Sequence, residues 1–376
     1  MATVPPSRAM VAQETTSPTA VIYCEANFGS QDGKTANGLV RHSERYRILS
    51  VIDSHHVGQD AGLFLDDQPN GIPIVRDLTA AIHLQFPKPD YLIFGMAPLS
   101  GMLNSKERRV LLDAMEQGIS IVNGLHEFLN DDLEFVAEAA ANDVEIIDVR
   151  RPPDKKDLHM FSGRIDTVTC PRIAVLGTDS AVGKRTTATI LTKALNDYGV
   201  HAVMVSTGQT GLIQGVRYGV ALDAIPCQFC SGEMENAVVE AFTGEHPDVI
   251  IIEGQGALSH PAYLSSTFIL RGAKPNGVIL QHAPARHYLG DFPQIPTPSP
   301  AREITLLETF SDASVIGLTI NHENMDDREV SFAIKEFERD LNIPVTDALT
   351  RPTSRLIDMV IGAFPELIRI PAALAT

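Results

Sequence analysis

Long hydrophobic runs are missing from this chain: no apolar stretch reaches the length needed to cross a bilayer, which excludes a membrane-spanning reading. Basic residues are also in deficit. The 30 Lys and Arg against 47 Asp and Glu leave a net charge of -17. That balance opposes the diffuse attraction by which nucleic-acid and membrane-surface proteins find their targets, so neither partner is expected. A small anionic ligand remains open, because a few local cations and backbone N–H groups override a global field. Cysteine is scarce, with only Cys24, Cys170, Cys227 and Cys230. The opening MATVPPSRAMVAQETTSPTA lacks the apolar segment of a secretory signal, and a reducing cytoplasm is the expected home. No fixed-period repeat is found in either half.

What is present is an ordinary globular composition, 44% hydrophobic and 20% charged over 376 residues, long enough for two domains. Residues 1–19 are rich in Pro, Ser and Thr without periodicity and read as a disordered tail. From Ala20, short apolar runs at 20–24, 46–53, 89–95, 118–124 and 144–149 read as buried strands alternating with helical patterns. Such alternation predicts a parallel sheet with crossover helices over 20–150. Residues 151–166, charged and carrying a Pro pair nearby, read as a linker. A second α/β series fills 167–376, with strands at 173–177, 201–206, 248–254, 276–281 and 313–321. Its helices are expected after Gly183, around Glu233 to Phe242 and around Asp327 to Leu341.

The chemistry is concentrated in RIAVLGTDSAVGKRTT, residues 172–187. A strand ends at Gly177, a loop runs through Thr178, Asp179, Ser180, Ala181 and Val182, and Gly183 and Lys184 open a helix. Glycines there let successive N–H groups face an anion, the helix presents its positive end, and the lysine adds a mobile charge. The spacing is one residue longer than the common Walker A pattern. Arg185 stands where that pattern has the hydroxyl that ligates magnesium, and Thr186 and Thr187 follow. A loop with Lys184 and Arg185 suits a ligand whose phosphates are held rather than hydrolysed.

The strand 248–253 delivers Glu253 to the carboxyl edge of a sheet, where it is placed to position a magnesium ion or to serve as a base. Residues 206–219 are glycine-rich and read as a ligand-facing loop. The long Pro-rich segment 281–300 reads as a lid or as surface decoration. In the first half, Gly29, Gly33, Lys34 and Thr35 again join a strand to a helix, one residue too short for a Walker loop. Lys34 there is a candidate anion ligand. Cys227 and Cys230, a lone CxxC, read as structural, and His55 and His56 receive no role.

GTDSAVGKRTT followed by VIIIEGQGALSHP resembles the C-terminal domain of the D-glutamate N-acetyltransferase family, long catalogued as a domain of unknown function. GKTANGLVRHS and NGLHEFL resemble that family's N-terminal domain, so the likeness spans roughly residues 20–370. The loop is also similar to that of dethiobiotin synthetase, where a threonine follows the lysine. The resemblance implies a Rossmann-like N-terminal domain, a P-loop NTPase-like C-terminal domain, and transfer of acetyl from acetyl-CoA to D-glutamate. Attack of an amine on a thioester needs a base and oxyanion donors. Glu253 and His260 are the candidates for the base, with Lys184 in the catalytic centre. Arg217 and Arg286 are the candidate clamps for a substrate carboxylate. The alternative is an ATP- and magnesium-dependent ligase or kinase of the dethiobiotin-synthetase type. A nucleotide-binding module without chemistry is a third reading. Small-molecule substrates and a homo-oligomer are expected; no protein metal site is.

Overall fold

The computed structural model describes residues 17–84, 88–98 and 100–368. The expected tail falls, for residues 1–16, outside the described residues, and Thr19 already opens the first strand with its amide and hydroxyl bonded to Asp90, both at 2.7 Å.

The first series runs β1 (Thr19–Tyr23), α1 (Lys34–Arg41), β2 (Arg47–Ile52), α2 (Ala61–Asp66), β3 (Ile74–Val75), α3 (Leu78–Leu84), β4 (Tyr91–Phe94), α4 (Ser105–Glu116), β5 (Ser120–Asn123), α5 (Leu133–Asn142) and β6 (Ile146–Asp148). All its pairings are parallel, in the order β3-β2-β1-β4-β5-β6. This is the Rossmann order, whose direction reverses between β1 and β4. Apolar residues on both faces of the central strands, such as Ile22, Leu92 and Ile93, are fully buried between helices. The helix at the reversal, α1, is held there by the Ala36 N–H bond to the Gly95 carbonyl (2.9 Å), directly after β4.

The second series runs β7 (Arg172–Gly177), α6 (Lys184–Tyr198), β8 (Ala202–Ser206), α7 (Gln209–Gln214), β9 (Tyr218–Gly219), α8 (Cys227–Glu245), β10 (Val249–Glu253), α9 (Ser265–Ala273), β11 (Gly277–His282), β12 (Tyr288–Leu289), β13 (Phe292–Pro296), α10 (Pro300–Phe310), β14 (Ser314–Ile320), α11 (Asp327–Leu341), β15 (Val345–Asp347) and α12 (Ser354–Ala363). Its parallel sheet has the order β15-β14-β11-β7-β10-β8-β9, with β12 and β13 forming a separate antiparallel hairpin. The phosphate-loop strand β7 is therefore central, and apolar cores cover both faces of the sheet. The segment read as a linker straps onto α8: Glu235 accepts bonds from the Ser162 amide and hydroxyl and from the Ile165 amide. Ile165 is fully buried in the second core. No helix among the described residues is long and apolar enough to cross a membrane.

Candidate functional site at the interdomain cleft

The carboxyl edges of both sheets open into one cleft of about 1420 Å³, lined by residues of both domains. From the Rossmann side come Lys34 after β1, His126 after β5 and Arg150 after β6. From the other side come the loop after β7, the segment 208–214 after β8, and Glu253 at the end of β10. Open α/β sheets bind ligands at such edges, and the volume exceeds that of a pocket for one drug-sized ligand, roughly 300–1,000 Å³.

The phosphate loop is set by two residues in the left-handed region, Ala181 (φ +48°) and Gly183 (φ +103°). Gly183 precedes α6, and no side chain caps that helix. The N–H groups of Lys184, Arg185 and Thr186 at its start consequently have no partner among the described residues, as an anion site requires. Ser180 to Thr187 line the cleft, whereas Gly177, Thr178 and Asp179 stand behind it as support. Thr178 bonds His282 (2.8 Å), and Asp179 accepts from Arg286 (3.0 Å) and the Gly290 amide (2.9 Å). Lys184 curls back, its Nζ donating to the Asp179 carbonyl at 2.5 Å. Burial pushes its pKa down to about 7, opposed by Asp179.

Arg185 reaches sideways from the loop. Its Nη1 pairs with Glu253 (3.2 Å), its Nε donates to Gln214, and its Nη2 is buried with no partner among the described residues. Glu253 also accepts from the Ser206 hydroxyl and the Thr207 amide, all on one oxygen, Oε2. Gly211 allows Arg185 through, since a Cβ there would run into both Arg185 Nη1 and Ser206 Oγ. Thr187 donates to Gln281 (2.6 Å), and Arg185 holds the position of the hydroxyl that ligates magnesium in nucleotide-hydrolysing loops.

Three sequence expectations change here. Arg217 lies outside the cleft, with 72% of its side chain exposed, paired to Glu245 on α8 and stacked over Tyr218. Arg286 lines the cleft, but its donors go to Glu323, Asp179 and the carbonyls of Ser180 and Ala181. It braces the loop from behind and has no fork left for a substrate. His260 is buried, and its Nδ1 accepts from the Ala262 and Tyr263 amides at 3.2 and 3.3 Å. The proton therefore sits on Nε2, which faces Asp179 at 3.7 Å, and no lone pair reaches a substrate. Burial also holds its proton affinity below the ordinary histidine value, against the pull of Asp179.

Several residues that sequence reasoning passed over meet in the cleft. Asp291, on the turn of the β12–β13 hairpin, accepts from Ser180 (3.0 Å), Tyr263 (2.7 Å) and, across the cleft, Gln31 (3.1 Å). Arg150 is 6% exposed; its Nε donates to the Gly124 carbonyl (2.6 Å) and its Nη1 to His126 Nε2 (2.8 Å) and Asp223. An arginine only donates, so His126 is neutral with its proton on Nδ1; burial first, then Arg150, lowers its proton affinity. Arg150 Nη2 has no protein partner among the described residues. Lys34 begins α1 in the same wall, open to cleft water yet surrounded by protein. Burial, then Arg150, lowers its proton affinity. The signals were present in NGLHEFL, which contains His126, and in the Arg pair at 150–151, which straddles the boundary between the first α/β series and the expected linker.

Comparison with known proteins agrees with this architecture. A family model described as the P-loop domain of DUF1611, a domain of unknown function, matches residues 159–357, and that family's Rossmann-like N-terminal domain matches 54–152. A relative from Tritonibacter scottomollicae named D-glutamate N-acetyltransferase is 31% identical over 274 residues, covering 71% of this chain and 80% of the relative. One of the same name from a Pseudoalteromonas species is 30% identical over 264 residues, covering 68% and 77%. The crystal structure of a DUF1611 family protein from Anabaena variabilis superposes with a TM-score of 0.84 at 30% identity, over 92% of this chain and 100% of that one. The chain thus belongs to the DUF1611 family, an enzyme of the N-acyltransferase kind built from a Rossmann-like and a P-loop domain.

Proposed function

We propose that the chain transfers acetyl from acetyl-CoA to the amino group of D-glutamate or a related small amino acid. The observation that carries this reading is the Arg185–Glu253 pair. It puts a fixed guanidinium where a nucleotide-hydrolysing loop places the magnesium hydroxyl, and so favours holding phosphates over cleaving them. Coenzyme A is a phosphorylated ligand that needs no hydrolysis. Its phosphates fit the N–H groups opening α6 together with Lys184 and Arg185, and its pantetheine arm has apolar neighbours in the cleft wall at Leu222, Ile225, Leu264 and Phe268.

In this reading the acceptor lies toward the Rossmann edge. Arg150 through Nη2 and Lys34 hold its carboxylates, and the proton on His126 Nδ1 is a further donor. The acceptor's ammonium gives up one proton to solvent, and the neutral amine attacks the thioester carbonyl carbon. A C–N bond forms, the C–S bond breaks, and a second proton from the nitrogen passes to the departing thiolate to give the thiol. Glu253, beside the phosphate loop, orients Arg185, because an extended pantetheine arm carries the thioester away from that end. The names of the relatives support an acetyl group and D-glutamate as acceptor, and the choice of donor rests on the phosphate loop.

Incubation with acetyl-CoA and a panel of D-amino acids tests it, following thiol release and the mass of the product. The expected outcome is thiol release that depends on D-glutamate and persists in excess chelator. The ATP- and magnesium-dependent ligase or kinase takes its place if turnover needs ATP, disappears in chelator and returns with magnesium.

A further inference from the structure

The phosphate loop connects to the opposite domain at Ser180 through Asp291 and Gln31, and at Arg185 through the side chain of Gln214. Gln214, at the end of α7, accepts from Arg185 Nε with its Oε1. Its Nε2 donates to the carbonyls of Gly38 (2.6 Å) and His42 (2.7 Å), which lie at the C-terminal end of α1. Its backbone carbonyl independently accepts from the amides of Glu44 (2.8 Å) and Arg45 (3.1 Å). Alongside, Thr210 and Thr35 share a hydroxyl bond of 2.9 Å, and Gly38 lets the helices approach, since a Cβ there would lie 3.1 Å from the Thr210 methyl. The other end of α1 carries Lys34.

We infer that Gln214 is a positioning residue that reports occupancy of the phosphate loop to α1 and thereby sets Lys34 for the acceptor. The inference rests on the reading of the loop as the coenzyme's phosphate site. Arg185 Nη2 is a buried donor without an acceptor. An arriving phosphate oxygen supplies one, and the planar guanidinium moves as a unit, so Nε shifts against Gln214 as Nη2 is satisfied. A helix of eight residues is about 12 Å long and moves as a rod. A displacement imposed on its final carbonyls is therefore felt at Lys34. The setting of Lys34 is coupled to the ligand of the loop by these contacts, the differential interaction that any coupling between sites needs.

Gln214→Glu separates the two arms: the carboxylate keeps Arg185 but cannot donate to the Gly38 and His42 carbonyls. Gln214→Met removes both arms at similar volume, and both variants retain the backbone bonds to Glu44 and Arg45. Calorimetric titration with coenzyme A and hydrogen exchange of the α1 amides, each with and without coenzyme, form the test. Coenzyme binding is expected to slow exchange in α1 of the parent protein, and the effect to vanish in both variants while the dissociation constant stays within about threefold. In steady-state kinetics both variants should raise the Michaelis constant for D-glutamate about tenfold and leave that for acetyl-CoA nearly unchanged, as loss of acceptor positioning predicts. Protection of α1 that persists in the variants, or is absent from a parent that binds coenzyme, overturns the relay. So does an equal rise in both Michaelis constants. A parent that does not bind coenzyme A overturns the coenzyme reading and the relay with it.

Discussion

Lys184 holds its proton weakly, because burial takes the ammonium out of water and lowers its pKa to about 7. A bound phosphate restores the favourable charge and lifts that pKa. Above pH 7 the free lysine is largely neutral, so binding takes up a proton and coenzyme affinity falls as pH rises toward the ordinary lysine value, by at most about tenfold per unit. Titration at pH 8 in two buffers of different ionisation enthalpy measures the uptake; a value of zero contradicts it. Two arginines separate by the same logic of partners. Arg150→Lys loses the Nη2 donor that the proposed acceptor site uses and should raise the Michaelis constant for D-glutamate by about tenfold or more. Arg286→Lys loosens Asp179 and the Ser180 and Ala181 carbonyls, and should weaken coenzyme A by about tenfold, at the scale of one or two charged hydrogen bonds. If steady-state kinetics show the two effects exchanged, the sequence reading of Arg286 as the carboxylate clamp returns.

At the scale of elements, the β12–β13 hairpin governs the loop more than its own two short strands suggest. Asp291 at its turn joins Ser180, Tyr263 and Gln31, and Gly290 holds Asp179. Asp291→Ala should therefore weaken coenzyme A about tenfold without unfolding the sheet, checked by titration beside a far-ultraviolet spectrum; unchanged affinity would show that the hairpin only decorates the surface. This hairpin lay inside a Pro-rich stretch whose alternation is too short to read. The two-residue strands β3 and β9 were hidden for the same reason, whereas the long apolar runs of β1, β7, β10 and β14 were plain. The helix over Asp327–Leu341 was legible from its period, and its capping box of Asp326 and Glu329 agrees. Site residues were legible where one local segment builds the geometry, as in the phosphate loop. Arginine partners were not: Arg286 meets Glu323 and Arg217 meets Glu245, choices made by tertiary packing. The tautomer of His260 likewise depends on a turn that spacing does not reveal.

For the molecule as a whole, the two sheets face each other by their carboxyl edges, and the contacts that cross between domains include Gln31–Asp291, Thr35–Thr210, Gln214–α1 and Arg150–Asp223. Beside these polar contacts, Ile213 of α7 is fully buried in the apolar core of the Rossmann-like domain, so the two domains are joined by packing as well as by hydrogen bonds. The Arg185–Glu253 pair has a consequence for which abundant phosphates the cleft admits. Nucleoside triphosphates largely travel as magnesium complexes, and a magnesium ion brought to this loop meets a guanidinium of its own sign. Free ATP should then compete with coenzyme A, and added magnesium should relieve that competition instead of strengthening it. A competition titration with and without magnesium reads this directly, and tighter ATP binding in magnesium would contradict it. An arginine in the place of a hydroxyl thus acts as a filter, keeping the commonest phosphate carriers out of a loop whose backbone would otherwise welcome them.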